Sequence, residues 1–406
     1  MRAFERLLRY ARVDTTSDET AGVTPSTPGQ LDLAAQLADE LRSLSFEGVR
    51  VSDDGFVYGV LPATPGLDAL PCLGLIAHMD TAPDFSGKDV RPQIVENYDG
   101  GEVVLAGSGD VLSPAHFPTL ASLKGKTLIT TDGTTLLGAD DKAGVAEILT
   151  ACEEIVRSGM PHCRLAVSFT PDEEIGEGIE HFDVEGFGAA FAYTVDGGDL
   201  GELGYENFNA CGACFDVQGM SVHPGSSKDT MINASLVTME INAMLPAGET
   251  PRDTEDREGF FHLTDMQGDV EKARLRYIVR EHDAAHFEVR KQQLRHIEKI
   301  LNHRYGAGTV KLTIKEQYRN MAEMIRPHFH LVENARSAMR AAGMEPRDVP
   351  VRGGTDGARL CYMGLPCPNL CTGGYAFHGR FEHIAVEDMD ACTRMLVALV
   401  GLYSKD

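Results

Sequence analysis

The chain has 406 residues, of which 43% are hydrophobic and 24% charged, a balance typical of a folded protein with a substantial core. This length exceeds what one core usually supports, so we expect two domains. The net charge of −24 argues against a nucleic-acid partner, whose affinity depends on Lys and Arg against phosphates.

No apolar run in the sequence is long enough to cross a bilayer, so we expect a soluble, cytoplasmic protein with no membrane partner. The nine cysteines are scattered and often lie in apolar runs, which favours buried free thiols over disulfides. Cys211 and Cys214 form an isolated C-x-x-C within a strand-like run, where they would face opposite sides. A structural zinc or redox role for this pair stays an alternative.

The first half of the chain alternates helical and strand patterns. Apolar residues at helical spacing predict two helices within residues 1–45, separated by a turn at Thr24–Gly29. Cys72–Ala77 is a continuous apolar run that predicts a central strand. Residues 84–135 are rich in Gly, Asp and Pro, which predicts an excursion along the sheet edge. A helix after Asp141 and strands at 164–170 and 189–195 follow. This alternation predicts a mostly parallel α/β sheet.

The pattern then changes to strand 207–218, helix 226–245, strands 259–263 and 270–279, helix 284–303 and strand 309–317. That order, β-α-β-β-α-β, predicts a small two-layer domain over residues 206–319. The α/β pattern resumes afterwards, with helices at 328–342 and 387–403, a loop and helix within 353–363 and a strand at 369–372. We therefore expect the small domain to be inserted into a larger α/β domain formed by residues 1–205 and 320–406.

Two consecutive aspartates, Asp140 and Asp141, lie between an apolar run and a predicted helix. Acidic residues are common at helix N-termini, where they cap the first turn. Carboxylates this close repel each other unless a cation is present, so a metal site is the second interpretation.

Three other predicted strands support the metal interpretation, because each is followed by potential ligands. These are His78 with Asp80, Glu173 with Glu174, and Asp196. In open α/β sheets the ligand crevice lies outside the carboxyl ends of the strands, so these side chains are expected to meet at one place. One imidazole with several carboxylates suits zinc, with manganese or cobalt as alternatives. A second metal would need a second imidazole, for which His378 in a glycine-rich loop is a candidate and the nearby His383 a competitor.

Several segments together resemble the co-catalytic zinc peptidases of the M20 family, and within its M20B branch the tripeptide aminopeptidases. The resemblance runs almost end to end and is carried by His78–Asp80, Gly138–Gly144, Pro171–Gly176, Val195–Gly198, Pro25–Gln30, Val222–Gly225, Arg352–Gly357 and Gly373–Gly379. Each segment alone is weak evidence, whereas their order along the chain is specific.

The resemblance implies two zinc ions bridged by Asp140. His78 and Asp196 would complete one ion, and Glu174 and His378 the other. Asp141 would then only open the following helix.

The resemblance also implies the catalytic and substrate-binding residues. Glu173 would be the general base, and Asp80 would accept the second ring N–H of the ligand His78. His223 would be the lid histidine that in dimeric relatives reaches the partner's site and stabilises the oxyanion, although His-Pro-Gly is also a common turn sequence. Arg280 and Arg352 would bind the substrate's C-terminal carboxylate, although Arg280 could equally be an exposed strand residue.

The resemblance implies a di-zinc aminopeptidase that releases the N-terminal residue of tripeptides. It also implies that residues 206–319 form a lid and dimerisation domain of a homodimer. The enzymatic alternative is a related M20 dipeptidase or N-acyl-amino-acid deacylase. A non-catalytic binding homologue would have lost ligands, whereas every expected ligand and the base Glu173 are present.

Overall fold

The structure is a computed structural model, and it describes residues 1–405. Its strands are, in chain order, β1 (Glu47–Val51), β2 (Val57–Leu61), β3 (Leu73–His78), β4 (Gln93–Val95), β5 (Val103–Val104), β6 (Val111–Leu112), β7 (Leu128–Thr130), β8 (Leu165–Thr170), β9 (Phe191–Gly197), β10 (Glu202–Gly204), β11 (Asn209–Gln218), β12 (Phe260–Gly268), β13 (Lys272–Glu281), β14 (Val310–Tyr318), β15 (Arg347–Asp348), β16 (Asn369–Cys371), β17 (Gly374–Tyr375) and β18 (His383–Ala385).

Its α-helices are α1 (Ala3–Tyr10), α2 (Pro28–Ser43), α3 (Ala139–Ser158), α4 (Val184–Phe187), α5 (Ala234–Ala243), α6 (Ala284–Tyr305), α7 (Ala322–Ile325), α8 (His330–Ala341), α9 (Asp356–Tyr362) and α10 (Val386–Tyr403). No helix in residues 1–405 combines the length and the apolar character needed to span a membrane.

The chain divides into two compact units. The first comprises Met1–Tyr205, Glu323–Val349 and the chain from Thr355 onward, and the second comprises Glu206–Ala322 and Pro350–Gly354. The segment Pro350–Gly354, which we had placed with the larger domain on sequence grounds, thus belongs to the second unit by its contacts.

An eight-stranded sheet forms the centre of the first unit, in the order β1-β2-β8-β3-β9-β16-β10-β15. Its four central strands, β8, β3, β9 and β16, are mutually parallel. Every residue of β3 and β8 is buried, which explains their continuous apolar sequences. Helix α3 packs on β3 and β9, and α1 and α10 pack on α3. Gly159, which follows α3, has a φ of +66° that favours glycine and ends the helix.

The sequence predicts that residues 84–135 run along the edge of the main sheet, and the structure places part of this segment elsewhere. It contributes β4 and β7 to a separate antiparallel sheet, in the order β17-β18-β7-β4. The pairing partners β17 and β18 come from residues 374–385, so the sheet depends on contacts between distant parts of the sequence. This small sheet holds the loop between β17 and β18, which carries His378.

The second unit is an antiparallel sheet in the order β12-β13-β11-β14, with α5 and α6 packed against it. Alternate residues of β13 are buried, as expected for a sheet covered on one side. Helix α5 is shorter than the expected 226–245, because it is capped at its N-terminus by Asn233, whose side chain accepts the Leu236 N–H. The fold class predicted from the sequence, a mostly parallel α/β sheet with a separate β-α-β-β-α-β unit, is confirmed.

Candidate metal centre

The central sheet brings the predicted metal-binding side chains of the first unit to one edge. His78 is the last residue of β3, Asp196 lies at the end of β9, and Glu173 and Glu174 follow β8 in a single helical turn. Because β8, β3 and β9 are adjacent and parallel, their carboxyl ends lie together. Asp140 joins them from the start of α3.

Asp140 lies between two imidazoles. Its Oδ1 is 3.0 Å from His78 Nε2, and its Oδ2 is 3.1 Å from His378 Nε2. Each carboxylate oxygen therefore faces a different histidine, as a carboxylate that bridges two cations would.

A further carboxylate accompanies each imidazole. Asp196 Oδ1 lies 3.5 Å from His78 Nε2, and Glu174 Oε2 lies 3.0 Å from His378 Nε2. The donor atoms of His78, Asp140 and Glu174 lie within 4.8 Å of one another, as do those of His78, Asp141 and Asp196. The structure thus brings together all five residues that we expected to be ligands, and Asp141 lies beside them.

Asp141 has more contacts than a capping residue needs. It is buried, its Oδ1 accepts the Gly144 N–H at 3.2 Å, and its Oδ2 accepts the main-chain N–H of His78 at 3.1 Å. Neither Asp140 nor Asp141 has helical dihedral angles, so the regular part of α3 begins after them. Asp141 therefore caps this helix and also ties it to the end of β3.

The charges of the centre are strongly coupled. Burial alone would lower the pKa of His78, but the carboxylates around it raise this pKa well above the ordinary value. Burial alone would raise the pKa of Asp140, but the two histidines lower it. Hydrogen bonds to Asp140 and Glu174 raise the pKa of His378 to about 11. Burial raises the pKa of Glu174 to about 7. Positive charge is thus favoured among these carboxylates.

The donor set fits divalent metal ions. Within the described residues, Glu174 Oε1 is buried with no hydrogen-bond partner, which leaves an oxygen available to a cation. Imidazole nitrogens with carboxylate oxygens suit zinc, and also manganese or cobalt. The residues present therefore match a two-ion site in which Asp140 is shared.

Asp80 is fully buried and contacts both a predicted metal ligand, His78, and the turn that carries Glu173. Its Oδ1 lies 3.2 Å from His78 Nδ1, and the main-chain oxygen of Asp80 is also 3.2 Å from that nitrogen. Its two carboxylate oxygens also accept the main-chain N–H groups of Glu173 and Glu174, each at 3.1 Å. Asp80 thus orients the His78 ring and the turn that carries the two glutamates.

Glu173 lies beside the ligands, and burial, reinforced by Asp196, raises its pKa well above the ordinary value. The preceding residue, Asp172, has a φ of +58°. Its carboxylate accepts hydrogen bonds from the Ser26 N–H (2.7 Å), the Ser26 hydroxyl (2.5 Å) and Gln30 Nε2 (2.6 Å). The Pro25–Gln30 motif therefore supports the turn that carries Glu173.

His383 does not share the environment of His378. It lies fully buried in β18, its ring is stacked on Tyr375 with centroids 5.3 Å apart, and its Nδ1–H donates to the Phe381 oxygen at 2.7 Å. Its position is that of a core residue, whereas His378 Nε2 faces Asp140 and Glu174.

Glu382 is a residue of this centre that the sequence reasoning missed. Its buried carboxylate accepts main-chain N–H groups of Leu137, Gly138 and Asp140. No local pattern marks such a contact, because its partners lie more than 240 positions away along the chain. The one available signal is its position four residues after His378.

The remaining predicted site residues belong to the second unit. His223 is exposed, and its Nδ1 accepts the Gly225 N–H at 3.1 Å, so the neutral ring carries its proton on Nε2. Arg280 Nη1 donates to Gln317 Oε1 and to the Val279 oxygen, both at 3.1 Å.

Arg352 is held by the loop before β12. Its guanidinium donates to the main-chain oxygens of Thr254, Asp256 and Glu258 and to the Thr254 hydroxyl, at 2.8–3.3 Å. It also lies over the Phe208 ring, 5.1 Å from the centroid. Arg352 therefore anchors this loop in the structure.

Two imidazoles and two carboxylates around a shared aspartate, at the carboxyl edge of a parallel sheet, are the arrangement of a co-catalytic metallohydrolase. The chain belongs to peptidase family M20/M25/M40, whose family model matches residues 131–401. Peptidase T of Clostridium perfringens (strain ATCC 13124) is 55% identical to it over 402 residues, covering 99% of this chain and 98% of the relative.

Solved structures share the fold. The aminopeptidase PepT from Bacillus cereus superposes with a TM-score of 0.80 at 21% identity, covering 100% of this chain and 98% of that one. The YXEP protein of Bacillus subtilis, described as a dinuclear metal-binding peptidase of the M20 family, gives a TM-score of 0.65 at 12% identity, with 98% of each chain covered.

Proposed function

We propose that the protein is a di-zinc aminopeptidase that removes the N-terminal residue from tripeptides. The observation that carries this proposal is the position of Asp140 between His78 and His378, with one carboxylate oxygen facing each imidazole. The 55% identity to peptidase T over nearly the whole chain supports the substrate class.

His78, Asp196 and Asp140 would hold one zinc ion, and His378, Glu174 and Asp140 the other. Manganese or cobalt could replace zinc at such a donor set. Two ions held here would polarise the scissile carbonyl and lower the pKa of the attacking water.

Glu173 is the proposed general base. It takes a proton from the attacking water and gives it to the amine nitrogen of the leaving dipeptide. The neighbouring Glu174 is the proposed ligand, and a carboxylate that binds a cation loses much of its basicity. Glu173, which is not a proposed ligand, keeps its basicity and can act as the base. Asp80 fixes the position of Glu173 through the main-chain N–H.

The second unit supplies the proposed groups for the rest of the substrate. Because His223 Nδ1 accepts the Gly225 N–H, its Nε2 is the nitrogen that would donate a hydrogen bond to the developing oxyanion at the partner's site of a dimer. Arg280 and Arg352 are the proposed partners of the C-terminal carboxylate. Arg352 would have to exchange loop carbonyl oxygens for this carboxylate, whereas Arg280 Nη1 would have to exchange one side-chain amide oxygen and one carbonyl oxygen.

We further propose a cytoplasmic homodimer associated through the domain formed by residues 206–319. Leu236 and Met239 on α5 have exposed fractions of 57% and 59%, and such neighbouring apolar side chains favour a protein contact. Sedimentation velocity of the protein and of the double variant Leu236→Glu/Met239→Glu tests this proposal. A monomeric parent protein contradicts it.

The decisive test of function is hydrolysis of a peptide panel by the protein reconstituted with two equivalents of Zn²⁺. The panel contains a dipeptide, a tripeptide and a tetrapeptide of shared sequence, an N-acetylated tripeptide and an N-acetyl amino acid. We expect release of the N-terminal residue from the free tripeptide and no cleavage of the blocked compounds. The same panel with Glu173→Gln is the control for contaminating peptidases. Hydrolysis of the N-acetyl amino acid alone would establish a deacylase, and preference for the dipeptide would establish a dipeptidase.

A further inference from the structure

Glu382 lies at the end of the loop between β17 and β18, with 1% of its surface exposed. Its Oε2 accepts the main-chain N–H groups of Leu137 at 2.7 Å and Gly138 at 2.9 Å, and its Oε1 accepts that of Asp140 at 3.1 Å. Three N–H groups from one short segment thus converge on a single buried carboxylate, and charge-assisted hydrogen bonds of this kind are among the stronger ones in proteins.

The same two segments carry two of the three side chains of the second proposed metal position, His378 and Asp140, whereas the third, Glu174, lies in the turn after β8. The β17–β18 loop presents His378 four residues before Glu382, and the segment held by Glu382 ends in Asp140. His378 Nε2 and Asp140 Oδ2 are 3.1 Å apart. His378 itself is 43% exposed, so packing around its side chain does little to fix its position.

The other proposed metal position is held differently. The His78 ring faces Asp80, and the His78 main chain donates to Asp141. Asp196 lies at the end of strand β9, within the central sheet. None of these contacts involves Glu382. Asp80 contacts ligands of both positions, His78 and Glu174, whereas Glu382 holds only the segment that leads to the shared Asp140 and lies in the loop of His378.

We propose that Glu382 is a positioning residue that fixes His378 relative to Asp140 and thereby sets the affinity for the ion that these two residues share. This inference rests on the di-metal centre proposed above and concerns metal binding, independently of which peptide is cleaved. Residues that orient metal ligands typically contribute about 10- to 100-fold to metal affinity.

The test is a titration of the metal-free protein with ZnCl₂ in competition with a chelating dye, followed by metal analysis after gel filtration. In the parent protein we expect two ions per chain. In Glu382→Gln, an amide nitrogen replaces one accepting oxygen and meets a main-chain N–H group. We expect its affinity for one of the two ions to fall at least about tenfold, whereas the affinity for the other changes about twofold or less.

Glu147→Gln is the matched control. Glu147 is a fully buried glutamate of α3, and within the described residues neither of its carboxylate oxygens has a hydrogen-bond partner. It therefore tests the loss of a buried carboxyl group without the loss of the Glu382 contacts. We expect both of its zinc affinities to match those of the parent protein.

Unchanged zinc affinities in Glu382→Gln overturn the inference. An equal loss at both positions, with a lower melting temperature of the metal-free protein, also overturns it, because that result indicates a purely structural role.

If Glu382→Gln does not fold, Glu382→Asp, which keeps the charge but is one methylene shorter, is titrated instead and must show the same selective loss. Failure of both variants to fold contradicts the inference as well. A parent protein that binds fewer than two ions overturns the di-metal centre itself, whereas a two-ion parent with unaffected variants overturns the role of Glu382 alone.

Discussion

Asp80 holds Glu173 through the main chain, because Asp80 Oδ1 accepts the Glu173 N–H at 3.1 Å. The same oxygen lies 3.2 Å from His78 Nδ1, and Oδ2 accepts the N–H of Glu174. One buried carboxylate therefore orients a proposed ligand and the proposed general base at the same time. This contact joins the ends of β3 and β8, two adjacent parallel strands, and so depends directly on the fold.

Replacing Asp80 with Ala is expected to lower kcat for a tripeptide by about 100-fold or more, because misplacing a catalytic group by an ångström has effects of this size. The Glu173–Glu174 turn loses the carboxylate that accepts its two N–H groups, and the His78 ring keeps only the main-chain oxygen of residue 80. Steady-state kinetics with Zn²⁺-reconstituted protein measures this effect. The control is Asp89→Asn on the exposed surface of the same segment, for which we expect unchanged kinetics. A kcat within threefold of the parent value in Asp80→Ala would contradict the proposed role.

Glu173→Gln is expected to lower kcat by about 100- to 10,000-fold, the range that general bases contribute, while zinc content stays at two ions per chain. The amide keeps the shape of the side chain but cannot accept the proton. Asp140→Ala should lose zinc as well as activity, because Asp140 contacts both imidazoles. Metal analysis after gel filtration distinguishes the two variants, with Glu177→Gln on the exposed surface as the control. Near-parent turnover in Glu173→Gln would refute the assignment of the base.

The sequence predicted the ligand edge of the sheet because the relevant signals are local. Each apolar run that forms β3, β8 or β9 is followed by a histidine or a carboxylate. Parallel strands bring their carboxyl ends together at one edge of the sheet. The convergence of His78, Glu174 and Asp196 follows from this rule once the runs are assigned to one parallel sheet.

The supporting contacts of the centre could not be predicted in this way. Glu382 reaches main-chain groups more than 240 residues earlier, and the small sheet that carries its loop pairs β7 with β18. Hydrophobic periodicity reports which side of an element is buried, but it does not report which distant element covers it. The second contact of Asp141, with the His78 main chain, was missed for the same reason.

Arg280→Ala is expected to raise KM for a free tripeptide about tenfold or more with a smaller change in kcat, because a proposed partner of the C-terminal carboxylate is lost. For the corresponding tripeptide amide, which lacks the carboxylate, the parent and variant KM values should be similar. Comparing the KM values of both substrates in both proteins isolates the interaction between Arg280 and the C-terminal carboxylate. An equal effect on the free peptide and the amide would rule out carboxylate binding by Arg280.

Arg352→Ala is expected to affect stability as well as substrate binding. Its guanidinium donates to three main-chain oxygens and one hydroxyl of the loop before β12, and its removal leaves these acceptors unpaired. We expect the melting temperature to fall by about 2–6 °C, the size associated with losing one to two kcal/mol in a domain of this scale. Differential scanning calorimetry measures this change, with Arg280→Ala as the matched control. An unaltered melting temperature would show that the loop does not depend on Arg352.

The buried His282 predicts a pH dependence of stability. Its ring packs on Phe208 with centroids 4.4 Å apart, and burial lowers its pKa although Glu206 opposes the shift. The unfolded chain therefore binds this proton more readily than the folded protein, so stability is lost as the pH falls below about 6.5, the ordinary histidine value. Melting temperatures between pH 5 and 8 should fall less steeply for His282→Phe, which keeps an aromatic ring against Phe208. His286→Phe, on the exposed surface of α6, should retain the parent slope, and an identical slope in all three proteins would refute the prediction.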